Sequence, residues 1–441
     1  MSQPVVQDAG PSLDDYALSR VPQAARYSWW SVALQRFGQL SCLSQFLLGS
    51  ALGFGMTFWA AFWALTFGSV ILELVSILIG IAGQREGLST YVLARWTGFG
   101  RHGATLLSVV IAITLIGWFG VQNELFAQGL ASLIGGLPVA VWSLICGLAV
   151  TLIVIFGFLS MTWTAYVTVP AFLVLAGWSI VSALQQHSLA ALIASPPPGP
   201  PLSLGAGTTL VAGGFIVGAV ITPDMTRYNR STADVVKQTI VGMSIGEYLI
   251  GLIGVLLAHA VGSSDVVRIV TSTTSSIGTV VLIAATLKIN DWNLYSASLG
   301  IVNVVQAITG RHVSRAWMTL LVGILGSVLS MLGILSGFVG FLILLGVAIP
   351  PVAGIIVVEY FVVQRWRPQL EQTRLTGTLP TVVQDWNLPA LIAWASGFAV
   401  GYVVHVGVPS INSLVVAGAV YWAVTMVSGQ NRQQVAHPSS I

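Results

Sequence analysis

Long apolar runs separated by short polar segments recur along the whole chain. Twelve are long enough to cross a bilayer, at roughly 20 residues each: residues 29–54, 57–83, 103–134, 138–158, 161–184, 206–223, 238–262, 275–305, 314–333, 336–361, 388–405 and 410–428. The runs at 161–184 and 388–405 are the least clear-cut. None alternates apolar with polar, so the short strands of an outer-membrane barrel are excluded. Helices are the other way to satisfy backbone groups in lipid. The pattern predicts an all-α polytopic membrane protein. Polar segments at 1–28, 362–387 and 429–441 lie outside the runs. No cleavable signal peptide is expected, because the polar tail leads directly into a long apolar helix.

Composition agrees. Of 441 residues, 55% are apolar and 7% charged, against about 25% charged in a soluble domain. Too few charges are present to cover a water-soluble enzyme of this size. The net charge of +3 is spread thinly, without the dense basic patch that nucleic acid requires, so no nucleic-acid partner is expected. His102, His187, His259, His312, His405 and His437 fall mostly at helix ends or in loops. None stands in a recognisable spacing with Ser, Cys or Asp, so an enzyme, a metal site and a cofactor are not expected. There is no Gly-Lys-Ser/Thr, hence no P-loop for ATP. Cys42 and Cys146 both sit inside apolar runs and are read as unpaired.

The cations set the expected orientation. With twelve spans, Arg20, Arg26, Arg36, Arg85, Arg95, Arg101, Arg227, Arg230, Lys237, Arg311, Arg315, Arg365, Arg367, Arg374 and Arg432 all fall on one side. The other side holds Arg268, and Lys288 lies within the eighth span. This asymmetry predicts a cell-membrane protein with both termini cytoplasmic.

Binding sites of secondary transporters lie where paired helices break near the midplane. The first span carries Gly38, Gln39, Ser41, Ser44, Gln45, Gly49 and Ser50. The sixth carries Gly213, Gly214, Gly218 and then Thr222-Pro223-Asp224. Glycine and proline weaken helices, so both spans are expected to be broken. They occupy corresponding places in two halves of five spans. The stiff segment Ser195–Pro201, SPPPGPP, would join those halves. In the third span Trp118 and Gln122 are four apart and share a face. An indole plane beside an amide suits a flat polar ring, stacked on one and read at its edge by the other. The eighth span carries Lys288, Asn290, Asp291, Asn293, Tyr295, Ser296 and Ser298. Charges at this depth are costly and mark function. Lys288 has Asp291, Glu124 and Glu247 as possible partners. Of the acids within spans, Glu124 and Glu247 are the proton-site candidates. Glu359, near Arg365, is expected at the cytoplasmic surface, and His259 in solvent near the outer end.

Several motifs together resemble one family. They are Val21–Arg26, Glu86-Gly87-Leu88-Ser89-Thr90 with Leu93-Ala94-Arg95, Gly117-Trp118-Phe119-Gly120, Thr222-Pro223-Asp224 with Arg227-Tyr228, Asn290-Asp291 with Leu294-Tyr295 and Gly300, and Phe338-Val339-Gly340 with Ala348-Ile349-Pro350-Pro351 and Gly354. In this order, across nearly the whole chain, they resemble the nucleobase–cation symporters, in the branch with bacterial cytosine permease. The resemblance implies a leucine-transporter-like fold: a five-plus-five inverted repeat at residues 29–194 and 206–361, joined by 195–205, with two extra helices at 388–428. It implies a small heterocyclic substrate carried by alternating access. By position, Trp118 and Phe215 of Gly214-Phe215-Ile216 would stack on the ring. Gln122 and Asn290 would bond its edge, and Gln45 would line the site. Val217 stands where the cytosine branch has a serine, which removes one ring-edge partner. The alternative cargoes are a pyridoxine-like or hydroxymethylpyrimidine ring, a hydantoin or allantoin. The sodium site of sodium-coupled members maps to Gly38 and Cys42 in the first span and to Lys288 and Ile289 in the eighth. Ile289 has no side-chain oxygen to offer where those members have a hydroxyl, and Lys288 brings its own ammonium. Sodium independence is therefore expected, with the proton rather than sodium as coupling cation and Lys288, Glu124, Glu247 and Asp291 as candidate carriers, or with no coupling cation at all, as in a facilitator.

Overall fold

The computed structural model describes Tyr16 and residues 19–155, 158–311 and 313–428, with side chains except at 158–169, 288, 289 and 303. Every apolar run predicted from the sequence is helical where described. The first run holds α1 (Trp29–Leu40) and α2 (Leu43–Gly55). α3 (Phe58–Glu86) fills the second, and a short α4 (Thr90–Ala94) leads to α5 (Gly100–Ile134), the third. α6 (Val139–Ile155) and α7 (Phe158–Gln186) follow, then a short α8 (Leu189–Ala194). After the non-helical proline-rich segment come α9 (Leu204–Val220) and the single turn α10 (Pro223–Thr226). α11 (Thr232–Val261), α12 (Val266–Thr309) and α13 (Arg315–Met331) are the seventh to ninth. The tenth is divided at Pro350 into α14 (Phe338–Ala348) and α15 (Pro350–Val357). α16 (Arg367–Thr376) lies in the polar segment, and α17 (Leu388–Val403) and α18 (Pro409–Val427) close the chain.

Local chemistry sets the ends. The Thr57 side chain accepts from the Ala60 amide at the start of α3, and Ser231 with Asp234 forms a capping box on α11. Gly87, at φ 63°, ends α3 in the left-handed conformation that favours glycine. Ser275 interrupts α12 at φ 57°, so the eighth membrane run starts there, as its hydropathy indicates.

The two glycine-rich spans behave differently. The first is broken: Ser41 (φ −82°, ψ 64°) and Cys42 (φ −141°, ψ 170°) separate α1 from α2. The sixth is not broken at its glycines. α9 continues through Gly213, Gly214 and Gly218 and ends only at Ile221. Its glycines serve close packing instead. A Cβ on Gly213 would lie inside the Leu342 carbonyl of α14, and one on Gly214 would overlap Leu48 of α2. Gly213→Ala is therefore expected to cost about 1–3 kcal/mol by overpacking, read as a lower melting temperature of the detergent-purified protein. Gly340→Ala, with open space around its Cα, is the matched control and should stay within about 0.5 kcal/mol.

The segment before α1 straps one end of the bundle. Arg20 pairs with Glu86 (2.9 Å) and donates to the Thr373 hydroxyl (3.0 Å). Arg374 and the Tyr360 hydroxyl each reach the other Glu86 oxygen at 2.7 Å. Arg26 donates to the Gln84 carbonyl (2.9 Å), and the Tyr27 amide to the Tyr228 carbonyl (2.7 Å). Burial holds the Arg26 guanidinium below its ordinary range. Asp224 accepts from the Thr90 amide at 2.8 Å, and burial raises its carboxyl against the pull of that bond and of Arg227. The chain before α1 and the segments after α3, α10 and α15 thus share one end.

Three expectations on charged side chains are corrected. Arg36 is not a surface cation: it is 0% exposed, its stem packed on Gly242 of α11. Glu359 is buried, accepting from the Tyr421 hydroxyl (2.6 Å) of α18 and lying 3.5 Å from Arg365. This fastens the last helix to the core. His259 is buried rather than in solvent, its ring nitrogens each 3.0 Å from a carbonyl oxygen, of Leu192 and of Met56.

Candidate substrate site

α5 and α12 lie side by side and antiparallel. Gly129 faces Ile283, and Gly300 faces Ala112. This register puts Asn290 level with Gln122, with Trp118 one turn away on the Gln122 face. Gln122 is almost wholly buried. Its Nε2 donates to Ser44 Oγ on the first turn of α2, and its Oε1 has no protein partner. Asn290 is 0% exposed, and neither of its amide atoms has a partner. Three buried amide atoms without a protein partner thus lie at one level of the α5–α12 contact. Trp118 is walled by two rings of α14, Phe338 and Phe341, at 6.0 and 5.6 Å between centroids and steeply inclined.

The other residues expected from the sequence have the following surroundings. Phe215 is half-buried under the Arg36 guanidinium, 5.9 Å from its ring centre, a cation–π arrangement. Gly214 packs on Leu48, and Val217 is buried in the core. Gln45 turns toward α11, its Nε2 3.4 Å from the Glu247 carbonyl. Gly38 has open space beside its Cα. The Cys42 carbonyl accepts from the Gln45 and Phe46 amides (3.1 and 3.3 Å), so it is spent within α2. Glu124 accepts from the Leu335 amide (2.8 Å) and from Gln128 (3.4 Å), which fixes the turn before α14. Glu247 accepts from the Ser69 hydroxyl, and one turn along the same α3–α11 seam Glu73 accepts from Ser244. Asp291 is buried. The Lys288 and Ile289 side chains lie outside the described residues.

Sequence reading missed Ser44 as a partner of Gln122, Phe341 as a wall and the depth of Arg36. A signal existed for Arg36. It shares a helical stripe with Val32, Ala33 and Leu40, all buried, so it lies on the apolar face of α1. For Ser44 there was none, because the pairing crosses 78 residues.

A family of permeases for cytosine/purines, uracil, thiamine and allantoin matches residues 20–425. The chain belongs to this permease family. Among curated relatives, the permease is 29% identical to the cytosine permease of Escherichia coli strain K12 over 390 residues, 88% of this chain and 89% of that one. It is 23% identical to the hydantoin permease of Microbacterium maritypicum over 404 residues, 85% and 79% of the two chains. Of solved structures, it resembles Mhp1 in its inward-facing conformation (TM-score 0.81, 20% identity, 93% of each chain). It also resembles Mhp1, a nucleobase–cation symport family 1 transporter, closed with bromovinylhydantoin bound (TM-score 0.76, 20% identity, 96% of each). These likenesses show the fold, which is the all-α, leucine-transporter-like one expected from the sequence. The permease is a multi-pass secondary transporter and not an enzyme.

Proposed function

We propose that this permease imports a flat nucleobase, of the cytosine or purine class, by alternating access and with protons rather than sodium. The observation that carries this reading is the Trp118 indole beside the unpaired amide atoms of Gln122 and Asn290. A planar ring with polar edges satisfies both at once. The two five-helix halves, 29–194 and 206–361, would move against each other around it, with α17 and α18 as the extra pair. A hydantoin, allantoin or vitamin-precursor ring is the second reading. Val217, which brings no hydroxyl to the ring edge, and the hydantoin permease relative favour it. Both termini are read as cytoplasmic, because the arginine-rich strap and loops gather at one end.

Proton coupling rests on the residues before Asn290. Sodium needs several oxygen ligands, the Ile289 side chain supplies none, and Lys288 already carries a cation. The reading is tested by melting temperature of the purified protein with a panel of nucleobases, hydantoin and allantoin, each in sodium or choline chloride. A ligand at a hundredfold excess over Kd stabilises by about 2.7 kcal/mol. Stabilisation by one ring class, equal in both salts, is expected. Enhancement by sodium of tenfold or more in affinity would overturn the ionic half, and no shift with any ring would overturn the substrate class.

A further inference from the structure

A line of polar contacts runs along the α3–α11 seam, apart from the ring site. We propose that Glu73 of α3 and Glu247 of α11 together form the proton-binding site of the permease, sharing one exchangeable proton, with Arg36 of α1 as its fixed counter-charge. This rests on the proton reading above.

The contacts fix which face of α3 meets α11. The Tyr248 hydroxyl donates to Thr66 Oγ1 (2.7 Å), Ser69 donates to Glu247, Ser244 donates to Glu73 (2.5 Å), and Gly80 faces Val235. Positions 66, 69, 73, 76 and 80 step by three or four, so they share one helical face. The two acids are cross-linked: Ser69 is one turn from Glu73 on α3, and Ser244 is one turn from Glu247 on α11. Ser76 lies on the same face, between Glu73 and Gly80. It is fully buried, and its hydroxyl has no partner. Arg36 reaches the seam from α1, its stem against Gly242 of α11. It is fully buried too. Its Nη2 donates to the Thr222 hydroxyl (3.0 Å), and its Nε and Nη1 have no partner.

Charge counting then assigns the proton. Among the described residues, neither carboxyl has a cation within 4.0 Å. A serine hydroxyl stabilises a carboxylate without neutralising it, and net charge at membrane depth is costly. The charges whose fields reach Glu247 are those of Glu73 and Arg36. The helices α2, α8, α9, α15 and the described side chains of α7 carry no titratable group. Asp224 of α10 is bonded to the Thr90 amide, Tyr91 of α4 lies under Arg95, and Asp265 and Arg268, after the last turn of α11, are exposed. Arg36 stays charged, because a guanidinium does not give up its proton. One fixed positive charge and two carboxyls are neutral with one proton bound. Losing it leaves the seam negative, and a second proton leaves it positive. Uptake converts one carboxylate to the acid, and release on the other side restores it, so one proton crosses per cycle. The first turn of α2 links this site to the ring: Ser44 accepts from Gln122, and Gln45 Nε2 lies 3.4 Å from the Glu247 carbonyl.

Glu73→Gln and Glu247→Gln keep the size of the side chain and an acceptor for the serine, but neither carries an exchangeable proton. The full-length protein in proteoliposomes would be given radiolabelled cytosine, adenine and hydantoin in two assays. One is accumulation under an inside-alkaline pH gradient; the other is exchange of labelled for unlabelled ring with no gradient. The wild type is expected to do both. Each variant should keep exchange within threefold and lose accumulation tenfold or more. Ring Kd in detergent should weaken by up to tenfold per pH unit in the wild type as rising pH removes the proton, since proton and ring each favour the binding of the other. In both variants it should not change with pH. The melting temperature shows which variants fold, and either one carries the test if the other does not. A folded variant that still accumulates the ring overturns the pair. So does one that loses exchange and accumulation together, which marks a structural role. Wild-type accumulation that follows sodium and ignores the pH gradient overturns instead the proton reading, and a wild type that exchanges none of the three rings overturns the substrate class; this inference falls with either.

Discussion

Trp118→Ala is expected to weaken binding of the transported ring about 5- to 150-fold. Stacking a base on an aromatic side chain is worth about 1–3 kcal/mol per base by alanine substitution, and tenfold corresponds to about 1.4 kcal/mol. In the proposed site the surroundings of Trp118 would hold it for that role. It is 8% exposed, and the edge contacts with Phe338 and Phe341 fix the plane of the indole before a ligand arrives. Those contacts mean that truncation also leaves a cavity, so stability alone would mislead. The informative quantity is Kd on protein that still melts cooperatively. Trp118→Phe keeps a ring at the same place and should lose less than tenfold. If Trp118→Ala folded and bound the ring as tightly as wild type, Trp118 would be a packing residue and the site would lie elsewhere.

The second large effect is on stability, far from that site. Glu86→Ala should destabilise the permease by about 3–5 kcal/mol, the cost of breaking a buried ion pair from one side. Glu86 is 1% exposed and takes Arg20, Arg374 and the Tyr360 hydroxyl on its two oxygens. Arg20 is nearly as deep, so removing the carboxylate leaves a guanidinium buried with carbonyl and hydroxyl partners only, those of Glu86, Thr378, Leu370 and Thr373. Arg374 is more exposed and loses less. The loss should appear as a lower melting temperature that hardly changes with added salt, since buried pairs are weakly screened. Arg367 and Glu371 form the contrast: their pair spans one turn of α16 in water, at 2.9 Å and about half exposed. Breaking it should change stability by less than about 0.5 kcal/mol. A Glu86→Ala protein as stable as wild type would mean that the strap does not hold the bundle end.

What the sequence discloses divides by range. Apolar runs are local, so the helical character of the twelve runs, where described, and the Trp118–Gln122 face follow from spacing alone. The break at Ser41–Cys42 falls among the small and polar residues that weaken the first span. The glycines of the sixth span carry the same local signal and do the opposite. Whether Gly213 bends a helix or admits a neighbour depends on Leu342, which lies 129 positions further along the sequence. Arg36 shows the limit of counting cations, because a cation near the start of an apolar run counts as cytoplasmic whatever its depth. Its helical stripe corrects that count. The roles of Ser44, Phe341 and Glu86 come from pairings between distant helices and have no local signature.

The most direct test of the account is uptake into proteoliposomes of a radiolabelled ring identified by the melting panel. An inside-alkaline pH gradient would be imposed in one set, an inward sodium gradient in the other, at matched membrane potential. The account predicts concentrative uptake with the pH gradient, lost on adding a protonophore and indifferent to sodium. Uptake that requires the sodium gradient and ignores the pH gradient would contradict it.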